Sequence, residues 1–133
     1  MHSSEKTILA LDAHGGDRGL DVSVPAALAA LEADPRLHLL ITGDAQAIEA
    51  ALGRETVPGG ASARLDIHHA ESVVPMDATP THVLRLGRDS SMWKALELVS
   101  DDSAHACVSG GNTGAQKVTG VKLLGMLRGK QLP

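Results

Sequence analysis

Three polar, glycine-bearing segments carry the residue types that could do chemistry. The first is Asp12-Ala13-His14-Gly15-Gly16-Asp17. Its paired glycines let a backbone turn sharply and approach a ligand closely. Its amides can face an anion, and Asp12 and Asp17 can orient water, bind a metal or fix the loop through local amides. The second is Ser109-Gly110-Gly111-Asn112-Thr113-Gly114, ahead of a helical pattern. Amides, a hydroxyl and an Asn side chain at a helix start form a concavity suited to phosphate, because the unpaired N–H groups and the helix dipole both favour negative charge. Neither the Walker spacing nor the Rossmann G-x-G-x-x-G spacing is present. The third is Ser90-Ser91-Met92, a helix cap or a second set of donors for the same anion.

Other reactive types are less well arranged. His68, His69, His82 and Cys107 lack the C-x-x-C or H-x-x-x-H spacing of a closed zinc site, so no metal is expected. Cys107 falls in an apolar run, where a thiol usually behaves as a small hydrophobe. No G-x-S-x-G elbow occurs, and no covalent nucleophile is indicated.

The elements that must position these segments alternate. Apolar runs at Thr7–Leu11, Leu37–Thr42, Leu65–His69 and Ala104–Ser109 read as strands. Between them, Asp21 or Ser23 is expected to cap a helix carrying Pro25 in its first turn and ending near Ala33, before Asp34-Pro35. Asp44 is expected to cap Ala45–Leu52, and Ser90 or Ser91 to cap Met92–Val99. A last helix is expected over Ala115–Leu127, and Arg54–Arg64 reads as a loop. Strand and helix in alternation predict an α/β, doubly wound, mainly parallel sheet. In such sheets ligands sit at the carboxyl ends of the strands, where all three segments fall.

Composition limits the rest. The 133 residues suffice for one domain and include one Trp, no Tyr and no Phe, so the core must rest on Leu, Val, Ile and Ala. A net charge of -4 and the lack of aromatic rings argue against nucleic-acid binding. No apolar run approaches the ~20 residues that span a bilayer, and no secretory signal is visible. One cysteine suits a reducing cytosol. No Asp or Glu follows Asp102, whereas Lys117, Lys122, Arg128 and Lys130 do. This is a solvated helix end or an anion-attracting patch. The sequence stops at Pro133 with no further strand, and a four-stranded open sheet would leave an exposed edge, so a truncated chain is expected.

Taken together, ALDAHGGD, RDSSMWKALELV and ACVSGGNTGA resemble the bacterial phosphate acyltransferase family, the PlsX proteins, with VPAALAAL and SVVPMDATP as supporting stretches. The likeness covers Thr7 to about Ala115 and corresponds to the N-terminal part of much longer chains. It implies an isocitrate dehydrogenase/phosphotransacetylase-like fold. It also implies transfer of a fatty acyl group from acyl carrier protein to inorganic phosphate, for phospholipid synthesis. No redox cofactor is implied; a cytosolic homodimer with peripheral membrane association is. By the resemblance, residues 1–133 form a single N-terminal α/β portion of the longer domain.

Position by position, Asp12, Gly15, Gly16 and Asp17 match the first family motif. Ser90, Ser91 and Met92 match the second, and Ser109, Gly111, Asn112, Thr113, Gly114 and Ala115 the third. His14 stands where Met is usual, Gly110 where Ala is usual, and Gln116-Lys117 where apolar residues are usual. The implied mechanism is direct attack of phosphate on the acyl thioester. Asp12, Asp17 and Asn112 would be catalytic, and Gly15, Gly16, Ser90, Ser91, Ser109, Gly111, Asn112, Thr113 and Gly114 would hold the phosphate. Alternatives are a short-chain phosphotransacetylase using acetyl-coenzyme A and a non-catalytic fragment that binds phosphate or a partner subunit. A nucleotide-binding domain lacks both diagnostic spacings.

Overall fold

The computed structural model describes residues 5–15, 19–75, 77–79, 81–82 and 87–110. Strands β1 (Thr7–Asp12), β2 (Leu37–Gly43), β3 (Leu65–His69) and β4 (Ala106–Val108) alternate with helices α1 (Leu20–Ala33), α2 (Ala45–Gly53) and α3 (Ser91–Ser100). A 3-10 turn over Ser62–Arg64 leads into β3. The sheet runs β3-β2-β1-β4 with every pair parallel, the expected α/β doubly wound fold.

Strand alternation divides the apolar residues between two layers. Leu9, Leu11, Leu37, Leu39 and Ile41 point to one face and pack with Val24, Leu28 and Leu31 of α1 and Ile48 of α2. Ile8, Ala10 and Leu40 point to the other face, against Ala95, Leu98 and Val99 of α3. Fully buried Leu31, Ile41 and Ile48 each contribute roughly 1.5–3 kcal/mol. The core is aliphatic, as the shortage of aromatics requires.

The chain steps outward from β1 to β2 to β3 with both helices on one face. It then returns past β1 to β4 with α3 on the other. The order therefore reverses between β1 and β4, and the carboxyl ends of these strands flank the crevice where open α/β sheets hold ligands.

Two boundaries differ from the sequence expectation. Helix α1 begins at Leu20, and its N-cap is Gly19, in the left-handed region at φ 52°, with no side-chain cap. Neither Asp21 nor Ser23 caps it; Ser23 Oγ instead donates to the Ala13 carbonyl at 2.6 Å. Pro25 consequently lies past the first turn. Strand β4 is only Ala106–Val108. At its start the His105 ring takes the ladder position, with Nδ1 accepting from Ile8 N at 3.1 Å. Cys107 is half-buried rather than buried. The expected helix over Ala115–Leu127 and its cationic tail lie outside the described residues.

Candidate anion site at the strand ends

Asp12 ends β1 and is 4% exposed. Its Oδ1 accepts from His14 N at 3.2 Å, closing the local turn. Its Oδ2 accepts from Ser109 Oγ at 2.8 Å, across the gap between β1 and β4. One carboxylate therefore ties the first glycine segment to the last. Such charge-assisted bonds are stronger than neutral ones and fix the donors' directions.

The turn after β1 is held on every side. Ala13 N donates to the Thr42 carbonyl at 3.0 Å and Gly15 N to the Asp12 carbonyl at 3.3 Å. The Ala13 carbonyl accepts from Ser23 as above.

Thr42, opposite Asp12 in the β1–β2 register, is fully buried. Its hydroxyl donates to the Ser91 carbonyl at 2.7 Å. This bond pins the first turn of α3 over the carboxyl end of β2, one strand from Asp12. Ser90 is the N-cap of α3, its Oγ accepting from Trp93 N at 3.1 Å. Ser91 N donates to the Ser72 carbonyl at 2.9 Å. Ser91 Oγ is buried and has no hydrogen-bond partner among the described residues. A buried hydroxyl without a partner carries a desolvation penalty that a bound anion would relieve.

The structure thus brings Asp12, Ser91 and Ser109 to one end of the sheet, with Ser90 as a cap. Gly15 sits in the turn beside Asp12. Gly16, Asp17, Gly111, Asn112, Thr113 and Gly114 lie outside the described residues.

Thr42 and Arg88 escape sequence reasoning. The Arg88 guanidinium lies 5.7 Å from the centre of the Trp93 ring, a cation–π contact beside the start of α3. Thr42 looks like any strand threonine until the register places it. A mainly apolar cleft of about 210 Å³ opens next to Ser90, lined by Ser72, Val73, Val74, Pro75 and His82.

Cys107 is close to this end of the sheet. Burial, and then the charge of Asp12, push its thiol pKa up, which keeps it protonated and poorly nucleophilic. Among the described residues no cluster of three His, Cys, Asp or Glu side chains could hold a metal.

The family model described as fatty acid synthesis protein matches residues 7–133. The chain is 50% identical over 109 residues to a phosphate acyltransferase of Ectopseudomonas mendocina, covering 82% of this chain and 32% of that protein. It is 47% identical over 125 residues to one of Halorhodospira halophila, covering 94% and 36%. It is 44% identical over 130 residues to one of Alkalilimnicola ehrlichii, covering 98% and 37%. The chain spans about a third of the length of these curated relatives.

Proposed function

This chain belongs to the fatty acid synthesis protein family, that of the phosphate acyltransferases, and from that premise we propose that it supplies the phosphate-holding part of an acyltransferase. The reaction is attack of inorganic phosphate on a fatty acyl thioester of acyl carrier protein, giving an acyl phosphate for phospholipid synthesis. A phosphate oxygen forms a bond to the thioester carbonyl carbon, the C–S bond breaks, and the carrier thiol leaves. No protein nucleophile is required, because phosphate is one.

The bond from Ser109 Oγ to Asp12 Oδ2 is the observation that carries this reading. It joins two glycine segments where the strand order reverses, which suits a small anion held between backbone amides. Asp12 and Asp17 act by orienting donors, whereas Gly15, Gly16, Ser91 and the 109–114 segment hold the dianion and stabilise the oxyanion through N–H and O–H groups. Asn112 supplies a further donor. Ser90 contributes by capping α3, whose positive end faces the site. The apolar wall of Val73, Val74 and Pro75 beside Ser90 is the side from which an acyl thioester approaches.

We place residues 1–133 as an N-terminal portion of a longer α/β domain that acts as a cytoplasmic homodimer peripheral to the membrane. The test is acyl-phosphate formation from phosphate with acyl carrier protein or coenzyme A thioesters, using the longer protein that contains this chain. Turnover of the acyl carrier thioester, reduced at least about tenfold by Asn112→Ala, is the expected result. Undiminished turnover in the variant removes the 109–114 segment from the site, and preference for the acetyl-coenzyme A thioester substitutes a short-chain phosphotransacetylase.

A further inference from the structure

The His14 ring has a defined task. Nε2 accepts from Asp44 N at 3.0 Å, linking the turn after β1 to the first residue of the α2 cap. The approach is close: a Cβ on Gly43 would lie 2.6 Å from His14 Cδ2 and 2.8 Å from Nε2. A second imidazole does the same one residue on, with His69 Nδ1 accepting from Ala45 N at 3.1 Å. The Asp44 carboxylate accepts from Gln46 N and Ala47 N. All of the first four N–H groups at the start of α2 are therefore bonded by side chains, two of them histidines from distant segments.

A ring nitrogen that accepts carries no proton, so each histidine must be neutral in this arrangement. In His14 the remaining proton sits on Nδ1. In His69 it sits on Nε2, which faces Glu71 Oε1 at 3.1 Å. Protonation turns Nε2 of His14 into a donor aimed at another donor, at the positive end of a helix. Among the described residues, the titratable groups bonded next to His14 are Asp12, whose Oδ1 accepts from the His14 amide, and Asp44, whose amide the ring accepts; His69 accepts from the neighbouring Ala45 N and faces Glu71. A protonated ring has no acceptor left for Asp44 N, so that bond is lost and the ring must turn away from it.

We propose that His14 is a positioning residue, a neutral-imidazole tether that holds the Asp12–Gly15 turn on the start of α2 and lets go when protonated, loosening the anion site in acid. This rests on the anion-site reading above.

The experiment is an NMR titration of the full chain across about pH 5 to 8, the range where imidazoles change charge, with sulfate as the probe because it stays a dianion throughout. The Asp44 amide is expected to shift with the midpoint of the His14 ring, and the Ala45 amide with that of His69. Sulfate affinity should fall about fivefold on acidification, the factor one net hydrogen bond supplies. His14→Gln, which keeps a neutral acceptor, should abolish that pH step, and His14→Met should be weak at both extremes. An Asp44 amide that ignores the His14 midpoint, or a wild-type profile shared by His14→Gln, overturns the tether. Should neither sulfate nor phosphate bind at any pH, the anion reading falls, while the amide titration still decides for or against the tether.

Discussion

Asp12 shows how a buried carboxylate is tolerated at the strand ends where we propose that an anion binds. Both of its oxygens accept from within the chain, from the His14 amide and from the Ser109 hydroxyl. Its charge is thereby directed into organising donors rather than into the crevice. The same charge acts on Cys107, whose thiol is held above its usual range first by burial and then by Asp12. Alkylation by iodoacetamide near neutral pH should therefore be slower in the folded chain than in the denatured chain. Equal rates would mean that Cys107 is open to solvent and that the β4 end is not packed as described. The contact with Ser109 was not legible from sequence, because the two residues are 97 apart, whereas the bond to the His14 amide is the local one that the residue types allow. The residue types alone left Asp12 open to binding water, a metal or its own loop.

At the scale of elements, local rules worked where the partner is local. The Asp44 and Ser90 caps were readable because a cap side chain bonds an amide two or three residues on. They failed for α1, where Gly19 starts the helix through its backbone freedom and Ser23 bonds the preceding turn instead. Nor could spacing show that Arg64 closes the far end of α1. Its guanidinium donates to the carbonyls of Leu31, Asp34 and Leu37 at 2.8–3.0 Å, joining the end of α1 to the start of β2. Sequence reasoning left Arg54–Arg64 as an unspecified loop, yet its last residue supplies this clamp. Arg64→Ala should cost about 2 kcal/mol, since it strands carbonyls served by a charged donor. Urea unfolding measures this, and a change within about 0.5 kcal/mol would show that water replaces the guanidinium freely.

Over the whole molecule, the alternation of apolar runs with helical stretches sufficed for the layer architecture. The order β3-β2-β1-β4 emerges only from pairing. That order matters more than any single motif, because it puts the ends of β1 and β4 side by side and α3 on the opposite face from α1. No helix among the described residues is long and apolar enough to cross a membrane. The chain matches phosphate acyltransferases over about a third of their length. The most direct measurement is an amide-resolved NMR titration of the full chain with inorganic phosphate, repeated on Asp12→Asn. The amides of Gly15, Ser91 and Gly110 should shift together with one dissociation constant, weakened about tenfold in the variant, or ~1.4 kcal/mol. Shifts confined to other parts of the chain, or a variant that binds as tightly as the parent, would contradict a dianion held between the ends of β1 and β4.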